Sequence, residues 1–197
     1  MGASRSVAVV AVLPVLCLWL AGCSGITGLV DGGPAPSALA DASAADRPEG
    51  VPADAEPAIV DRVVDGDTVR LIAAPGGTIT EGGSIRVRLL NIDAPEVARD
   101  GRPAECLADG ATDRLAALLP ADSLVWIAAD REERDQYDRP LRGLWTDGGV
   151  FVNELLAEEG LSEAVLFPPN DRFHAQVVAA ERRAAAAGVG IHGEACR

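Results

Sequence analysis

The fold is decided by the stretch Arg86-Val87-Arg88-Leu89-Leu90-Asn91-Ile92-Asp93-Ala94-Pro95-Glu96. Its apolar residues are β-prone, and Pro95 ends the run because a proline has no amide to donate to a sheet ladder. Arg88 lies within the predicted strand, while Asp93 and Glu96 follow at its end. A strand end holds the backbone in place and leaves side chains accessible, so these charged groups are candidates for chemistry.

Two further segments carry charged residues in a comparable setting. Upstream, Asp65-Gly66-Asp67-Thr68 separates two apolar runs, and downstream comes Arg134-Asp135-Gln136-Tyr137-Asp138-Arg139-Pro140. Taken singly, each has an ordinary interpretation: Asp-Gly between two β runs is typical of a hairpin turn, and an arginine in a strand commonly faces solvent. Taken together, carboxylates, a turn able to hold a cation and separated arginines are the groups needed to hydrolyse a phosphodiester.

The order and spacing of these segments resemble the staphylococcal-nuclease-like (thermonuclease) domains, over roughly residues 58–196. The motifs that carry the resemblance lie at residues 64–69, 88–96, 135–139, 152–156 and 160–161. The resemblance implies an α+β fold that is mainly a β-barrel, namely an OB-fold with a five-stranded Greek-key barrel and three helices. It also implies a calcium-dependent endonuclease that acts on DNA and RNA and leaves 3′-phosphates.

The resemblance assigns roles to individual residues. Asp67 and Asp93 would bind Ca²⁺ together with the backbone oxygen of Ala94, and Asp65 would organise the site without touching the ion. These are hard oxygen ligands, which calcium prefers, and water would complete its shell of about six to eight ligands. The resemblance therefore predicts Ca²⁺ as the cofactor.

The same resemblance places the groups that act on the substrate. Glu96 stands where the family has its general base, which activates the attacking water. Arg88 and Arg139 would hold the phosphate and stabilise the extra negative charge of the transition state, a task that suits planar bidentate donors. Tyr137 matches a residue that touches the terminal phosphate.

The N-terminal segment is predicted to be a targeting signal. Residues 1–22 contain one arginine and an apolar run too short to span a bilayer comfortably, and they end at Leu20-Ala21-Gly22-Cys23. This ending resembles the bacterial lipoprotein cleavage box, so Cys23 is the predicted acylated N-terminus; an ordinary signal peptide that happens to carry a cysteine is the alternative. We expect an extracytoplasmic monomer that is attached to the cell membrane through lipid alone.

Residues 23–57 are rich in Ala, Pro, Gly and Asp and have no periodicity. This composition predicts a disordered spacer, followed by the domain at residues 58–197. Of the four cysteines, Cys17 would leave with the signal and Cys23 would carry lipid. Outside the cytoplasm, the remaining Cys106 and Cys196 favour a disulfide.

The pattern of apolar residues predicts the elements of the domain. Strands are predicted at 58–64, 69–73, 84–92, 124–129 and 141–145, the last continuing at 150–152. Helices are predicted at 103–119, between an Asn153 cap and Gly160, and from an Asn170 or Asp171 cap to about residue 187.

The net charge of the chain leaves functions other than that of a nuclease open. The net charge is −13, which is the wrong sign for a protein that grips nucleic acid by general attraction. One alternative is a catalytically silent OB-type module that binds nucleic acid or protein at the cell envelope. Another is an acidic envelope interaction domain unrelated to nucleic acid, which explains the charge but none of the charged motifs.

Overall fold

The computed structural model describes residues 47–74, 77–79 and 83–196. Within them, the strands are β1 (Glu56–Asp65), β2 (Thr68–Ala73), β3 (Ser84–Leu89), β4 (Ile92–Asp93), β5 (Leu124–Ala128), β6 (Leu141–Thr146) and β7 (Glu163–Ala164). The helices are α1 (Ala108–Leu118), α2 (Val152–Glu158) and α3 (His174–Ala187), followed by two short 3₁₀ helices at Gly190–His192 and Glu194–Cys196.

Five strands close into a barrel in the order β1-β2-β3-β6-β5. Neighbouring strands are antiparallel except β3 and β6, which run parallel. Alternate residues of each strand fill the interior, for example Val69 and Leu71 on β2 and Val87 and Leu89 on β3, all of which are fully buried. The predicted OB-type α+β barrel with three helices is confirmed within the described residues.

The helices at the end of the chain cover one side of the barrel through an aromatic cluster. Trp145 of β6 stacks on Phe151 with ring centroids 4.5 Å apart, and Phe173 meets both rings at 5.4 Å. Helices α2 and α3 pack against each other beside this cluster. Gly188 ends α3 with φ +63°, a conformation that glycine adopts without strain.

The predicted third strand is in fact two strands. β3 ends at Leu89, and Asn91 turns the chain with φ +60°, a left-handed conformation that asparagine tolerates. The side-chain amide of Asn91 donates to the carbonyls of Val165 and Asn170, which holds the turn. Residues 92–93 then leave the barrel as β4 and pair with β7. Asp93 is therefore carried off the barrel wall, which positions it for the site described below.

Several predicted boundaries were wrong for local reasons. The first helix begins at Ala108 and not at residue 103, because Leu107 has φ +66°. Residues 150–152 add only a single bridge, Trp145 to Phe151, to the fifth predicted strand.

The predicted caps Asn153 and Asn170 are buried and bond to other segments instead. Asn153 Oδ1 accepts from the Leu144 amide at 3.0 Å and Asn170 Oδ1 accepts from the Glu132 amide at 2.8 Å. Asp171 caps no helix either: α3 begins after Phe173, without a side-chain cap.

The ordered part of the domain begins before residue 58. Val51 and Ala55 are buried, Glu56 already belongs to β1, and Asp54 forms an ion pair with Arg172 at 2.7 Å. The end of the predicted spacer is thus packed on the barrel, while the predicted signal segment and Cys23 lie outside the described residues. None of the helices in the described part is long and apolar enough to cross a membrane.

Candidate active site

The hairpin between β1 and β2 brings Asp67 to the loop that follows β4. A Cβ on Gly66 would lie 2.6 Å from the Ala94 Cβ and 2.9 Å from the Ala111 Cβ, so only glycine permits this approach. The Ala94 amide then donates to Asp67 Oδ2 at 3.0 Å. Asp67 is only 8% exposed. Gly66, which the sequence indicates as part of a turn, is thus also required for the close packing of the site.

Arg88 joins the two predicted metal ligands. Its Nη2 atom lies 3.0 Å from Asp67 Oδ2 and 2.6 Å from Asp93 Oδ1, while Nη1 donates to the carbonyls of Leu89 and Ile92. The two carboxylate oxygens are therefore no further apart than 5.6 Å, the sum of the two distances. Calcium–oxygen distances are about 2.3–2.6 Å, so two oxygens that bind one calcium ion lie within about 5.2 Å of each other. The two carboxylates converge to about that separation or less, with Arg88 Nη2 between them.

Burial raises the pKa of Asp67 to about 6, although Arg88 and the Ala94 amide act in the opposite direction. A nearby cation would lower the pKa of this buried carboxyl, because positive charge stabilises the ionised form. Within the described ranges, no three His, Cys, Asp or Glu side chains come together as a metal site. The resemblance would have Asp67, Asp93, the backbone oxygen of Ala94 and water supply the ligands, and oxygen donors of this kind fit Ca²⁺.

Asp65 lies in the same turn as Asp67, at the end of β1. Its Oδ1 accepts from the Asp67 amide at 3.4 Å, and its Oδ2 lies 3.6 Å from Arg99. The side chain of Asp65 thus contacts the backbone of Asp67 and the side chain of Arg99.

Arg139 is held in place by Asp135, a residue to which neither the sequence patterns nor the resemblance assigned a role. Arg139 Nε donates to Asp135 Oδ2 at 2.6 Å, and the amides of Tyr137 and Arg139 both donate to Asp135 Oδ1 at 2.9 Å. Burial by itself would raise the pKa of Asp135, but these hydrogen bonds lower it. The Arg139 guanidinium also lies 5.5 Å from the centre of the Tyr137 ring. The i, i+4 spacing of Asp135 and Arg139 was the available signal for this pair.

Two adjoining open clefts share Arg139 and Tyr137. We name the first, of about 490 Å³, the carboxylate cleft; it is also lined by Arg88 and Asp93. We name the second, of about 600 Å³, the glutamate cleft; it is also lined by Glu96, and by Arg86 and Arg99. The fold thus gathers the catalytic residues implied by the resemblance around Arg139, from segments up to 51 residues apart in sequence.

The fold and the site together describe an OB-type barrel whose outer wall carries carboxylates, arginines and an exposed aromatic ring, and arginines are suited to binding phosphate. The comparisons with known proteins are more specific. A family model described as staphylococcal nuclease homologue matches residues 86–193. The chain belongs to this family. The match includes Arg88, Asp93, Glu96 and Arg139 and begins after the hairpin that carries Asp67.

Individual relatives agree with this assignment. The chain is 33% identical to the thermonuclease of Staphylococcus intermedius over 126 residues, which are 64% of this chain and 70% of that protein. It is 30% identical to the thermonuclease of Staphylococcus hyicus over 123 residues, or 62% and 68% of the two chains. It is also 32% identical to endonuclease YhcR of Bacillus subtilis over 135 residues, which cover 63% of this chain but 11% of that protein.

Proposed function

We propose that this chain is a calcium-dependent endonuclease that hydrolyses phosphodiester bonds in DNA and RNA and leaves 3′-phosphates. The observation that carries the proposal is the position of Arg139. It lines both clefts, with Glu96 on one side and Arg88 and Asp93 on the other. A phosphate at Arg139 would therefore meet a carboxylate on one side and a second arginine on the other.

Each of these residues has a task suited to its surroundings. Glu96 is exposed, so its carboxylate is free to accept a proton from the attacking water. Arg139, held by Asp135, directs its remaining donors at the charge that develops on the phosphate. Asp67 and Asp93, with the backbone oxygen of Ala94, would hold calcium. When bound, the ion supplies positive charge beside the phosphate oxygens.

The decisive experiment is cleavage of single-stranded DNA by the purified protein, with calcium and with a chelator. We expect cleavage that requires calcium, and products that carry 3′-phosphates. Replacing Glu96 by Gln removes the base at constant size, so turnover should fall by about 10²–10⁴-fold while oligonucleotide binding persists. The matched control is Glu181→Gln on α3, because Glu181 lines neither cleft.

Two results would contradict the proposal. If wild-type protein and Glu96→Gln are equally inactive at every calcium concentration, the domain is a silent binding module. If cleavage persists in the chelator at its full rate, the reaction does not use calcium.

We further propose that the protein acts outside the cytoplasm as a monomer tethered through an acylated Cys23. The support for this proposal is the motif Leu20-Ala21-Gly22-Cys23 after an apolar run. Mass spectrometry of the mature N-terminus from a bacterial membrane fraction should find lipid on Cys23, and Cys23→Ala should leave the protein unprocessed or released. An unmodified N-terminus at another residue would exclude the anchor.

A further inference from the structure

The arginines without a partner are concentrated near Glu96. Arg86, Arg102 and Arg182 form no ion pair or side-chain hydrogen bond with any residue in the described ranges. Arg86 lines the glutamate cleft, and Arg102 lines the neighbouring surface pocket that also contains Glu96. In a chain with net charge −13, acidic partners are abundant. Unpaired positive charge beside the proposed base therefore suggests a negatively charged ligand.

Arg86 and Arg88 project from the same face of β3, because side chains two residues apart in a strand share a face. At about 3.4 Å per residue, their backbone positions are roughly 7 Å apart, which is of the order of the spacing between successive phosphates of a nucleic-acid strand. Arg88 is 7% exposed and engaged with carboxylates, whereas Arg86 is exposed. Arg86 is thus the more accessible of the two arginines on this face.

The stability of the fold does not explain why residue 86 is an arginine. It lies directly opposite Arg70 in the β2–β3 pair, and like charges in that position are destabilising. Arg70 is compensated by Asp61 at 3.6 Å, but no carboxylate in the described residues pairs with Arg86. A positive charge that opposes folding at this position is consistent with a binding role.

We propose that Arg86 and Arg99 form a second phosphate subsite, which holds the phosphate next to the scissile one on a single nucleic-acid strand. Arg99 lines the same cleft, and its side chain is 57% exposed although it also pairs with Asp65 at 3.6 Å. The acidic residue Asp138 lines this cleft too, but it pairs with Arg134 at 3.5 Å. The subsite rests on the proposed function, since the scissile phosphate is the one assigned to Arg139.

The binding test compares Arg86→Gln with Arg182→Gln, which removes another unpaired, exposed arginine from α3. Affinity for a short single-stranded DNA is measured over a range of salt concentrations in the Glu96→Gln background, where cleavage does not consume the probe. The slope of log affinity against log salt should be shallower by about 0.7 in Arg86→Gln, the value for one phosphate contact on a single strand. It should stay at the wild-type value in Arg182→Gln.

The kinetic test uses the proteins with Glu96 intact and compares an oligonucleotide with a dinucleotide that has a single phosphate. Only the oligonucleotide can occupy both subsites. The ratio of kcat/KM for the two substrates should therefore fall by about three- to tenfold in Arg86→Gln, chiefly through KM. Thermal unfolding should show Arg86→Gln to be no less stable than wild type, because the substitution removes the repulsion with Arg70.

The outcomes separate the subsite from the proposed function. If Arg86→Gln and Arg182→Gln change the slope equally, Arg86 acts only through net charge and the subsite is wrong. If wild type cleaves and Arg86→Gln alters neither slope nor substrate ratio, the subsite is wrong while the nuclease proposal stands. If no protein cleaves but the slope falls only in Arg86→Gln, the subsite stands as part of a binding module and the nuclease proposal fails.

Discussion

Glu105 and Glu96 are joined by two hydrogen bonds. The Glu96 amide donates to Glu105 Oε2, and the Glu105 amide donates to the Glu96 carbonyl, both at 2.9 Å. The next residue, Cys106, is bonded to Cys196 with 5.6 Å between the two Cα atoms. The backbone of the proposed base is thus tied to a loop that is itself anchored to the C-terminal end of the chain.

Substitution of Glu105 should test this connection. Glu105→Ala removes the acceptor for the Glu96 amide, and we expect kcat to fall by about tenfold or more with little change in KM, because small misplacements of a reacting group are costly. Glu105→Gln keeps an oxygen acceptor and is the matched control, with kcat within about twofold of wild type. Equal losses in both variants would show that the charge of Glu105 matters and not its hydrogen bond.

The disulfide should stabilise the domain strongly, because it closes a loop across 90 residues. Cys106→Ser or Cys196→Ser should each lower the free energy of unfolding by about 2–5 kcal/mol. The double variant should lose no more than either single variant, since one substitution already breaks the bond. Denaturant unfolding measures this, with thiol labelling of the unreduced, denatured domain as a check. Additive losses, or two reactive thiols on Cys106 and Cys196, would contradict the bond.

Asp135 should act as a positioning residue for Arg139. Asp135→Asn retains an oxygen for the two backbone amides but removes the charge that holds the Arg139 guanidinium, so kcat should fall by about tenfold at saturating calcium. Asp113→Asn on α1 is the matched control, because Asp113 is exposed and lines neither cleft. A loss confined to KM, or an equal loss of kcat in Asp113→Asn, would contradict this role of Asp135.

The lowered pKa of Asp135 also predicts a pH dependence of stability. Because the folded-state pKa lies below the unfolded value of about 3.9, the ionised carboxylate stabilises the fold above that pH. The contribution is lost as the pH falls through the folded-state pKa. The difference in unfolding free energy between wild type and Asp135→Asn should therefore be full at pH 7 and shrink in acid. A difference that is constant across this pH range would contradict the assignment.

Gly66 should be intolerant of any side chain. In Gly66→Ala the new Cβ would meet the Cβ atoms of Ala94 and Ala111, which are fixed to their backbones, so the hairpin must move. We expect a loss of about 1–3 kcal/mol in unfolding free energy, together with weaker calcium binding through Asp67. Gly110→Ala in α1 is the control: its nearest neighbour would be Leu107 Cδ2 at 3.8 Å, and the domain should gain up to about 1 kcal/mol. Similar effects of the two substitutions would show that packing at Gly66 is not limiting.

Local patterns in the sequence were sufficient to predict the strands, whereas the barrel that they form was implied by the family resemblance. Alternating apolar residues in β2 and β3 predict strands because each strand has one buried and one outer face, and that periodicity is written in consecutive residues. The outer-face position of Arg88 follows from the same alternation. The Asp-Gly turn between β1 and β2 is a local signal as well. The resemblance added the roles of Asp67, Asp93, Glu96 and Arg139, which no local pattern contains.

Only the tertiary structure decided which groups hold these residues in place. Asn91 turns the chain because its amide reaches carbonyls more than 70 residues away, so a continuous strand predicted at 84–92 breaks there. Other contacts also join separate segments of the chain. Gly66 packs against Ala94, and Glu105 bonds to the amide of Glu96. Arg86 and Arg99 line the same cleft. Sequence periodicity reports which face of an element is buried, but it carries no information about which distant segment will cover that face.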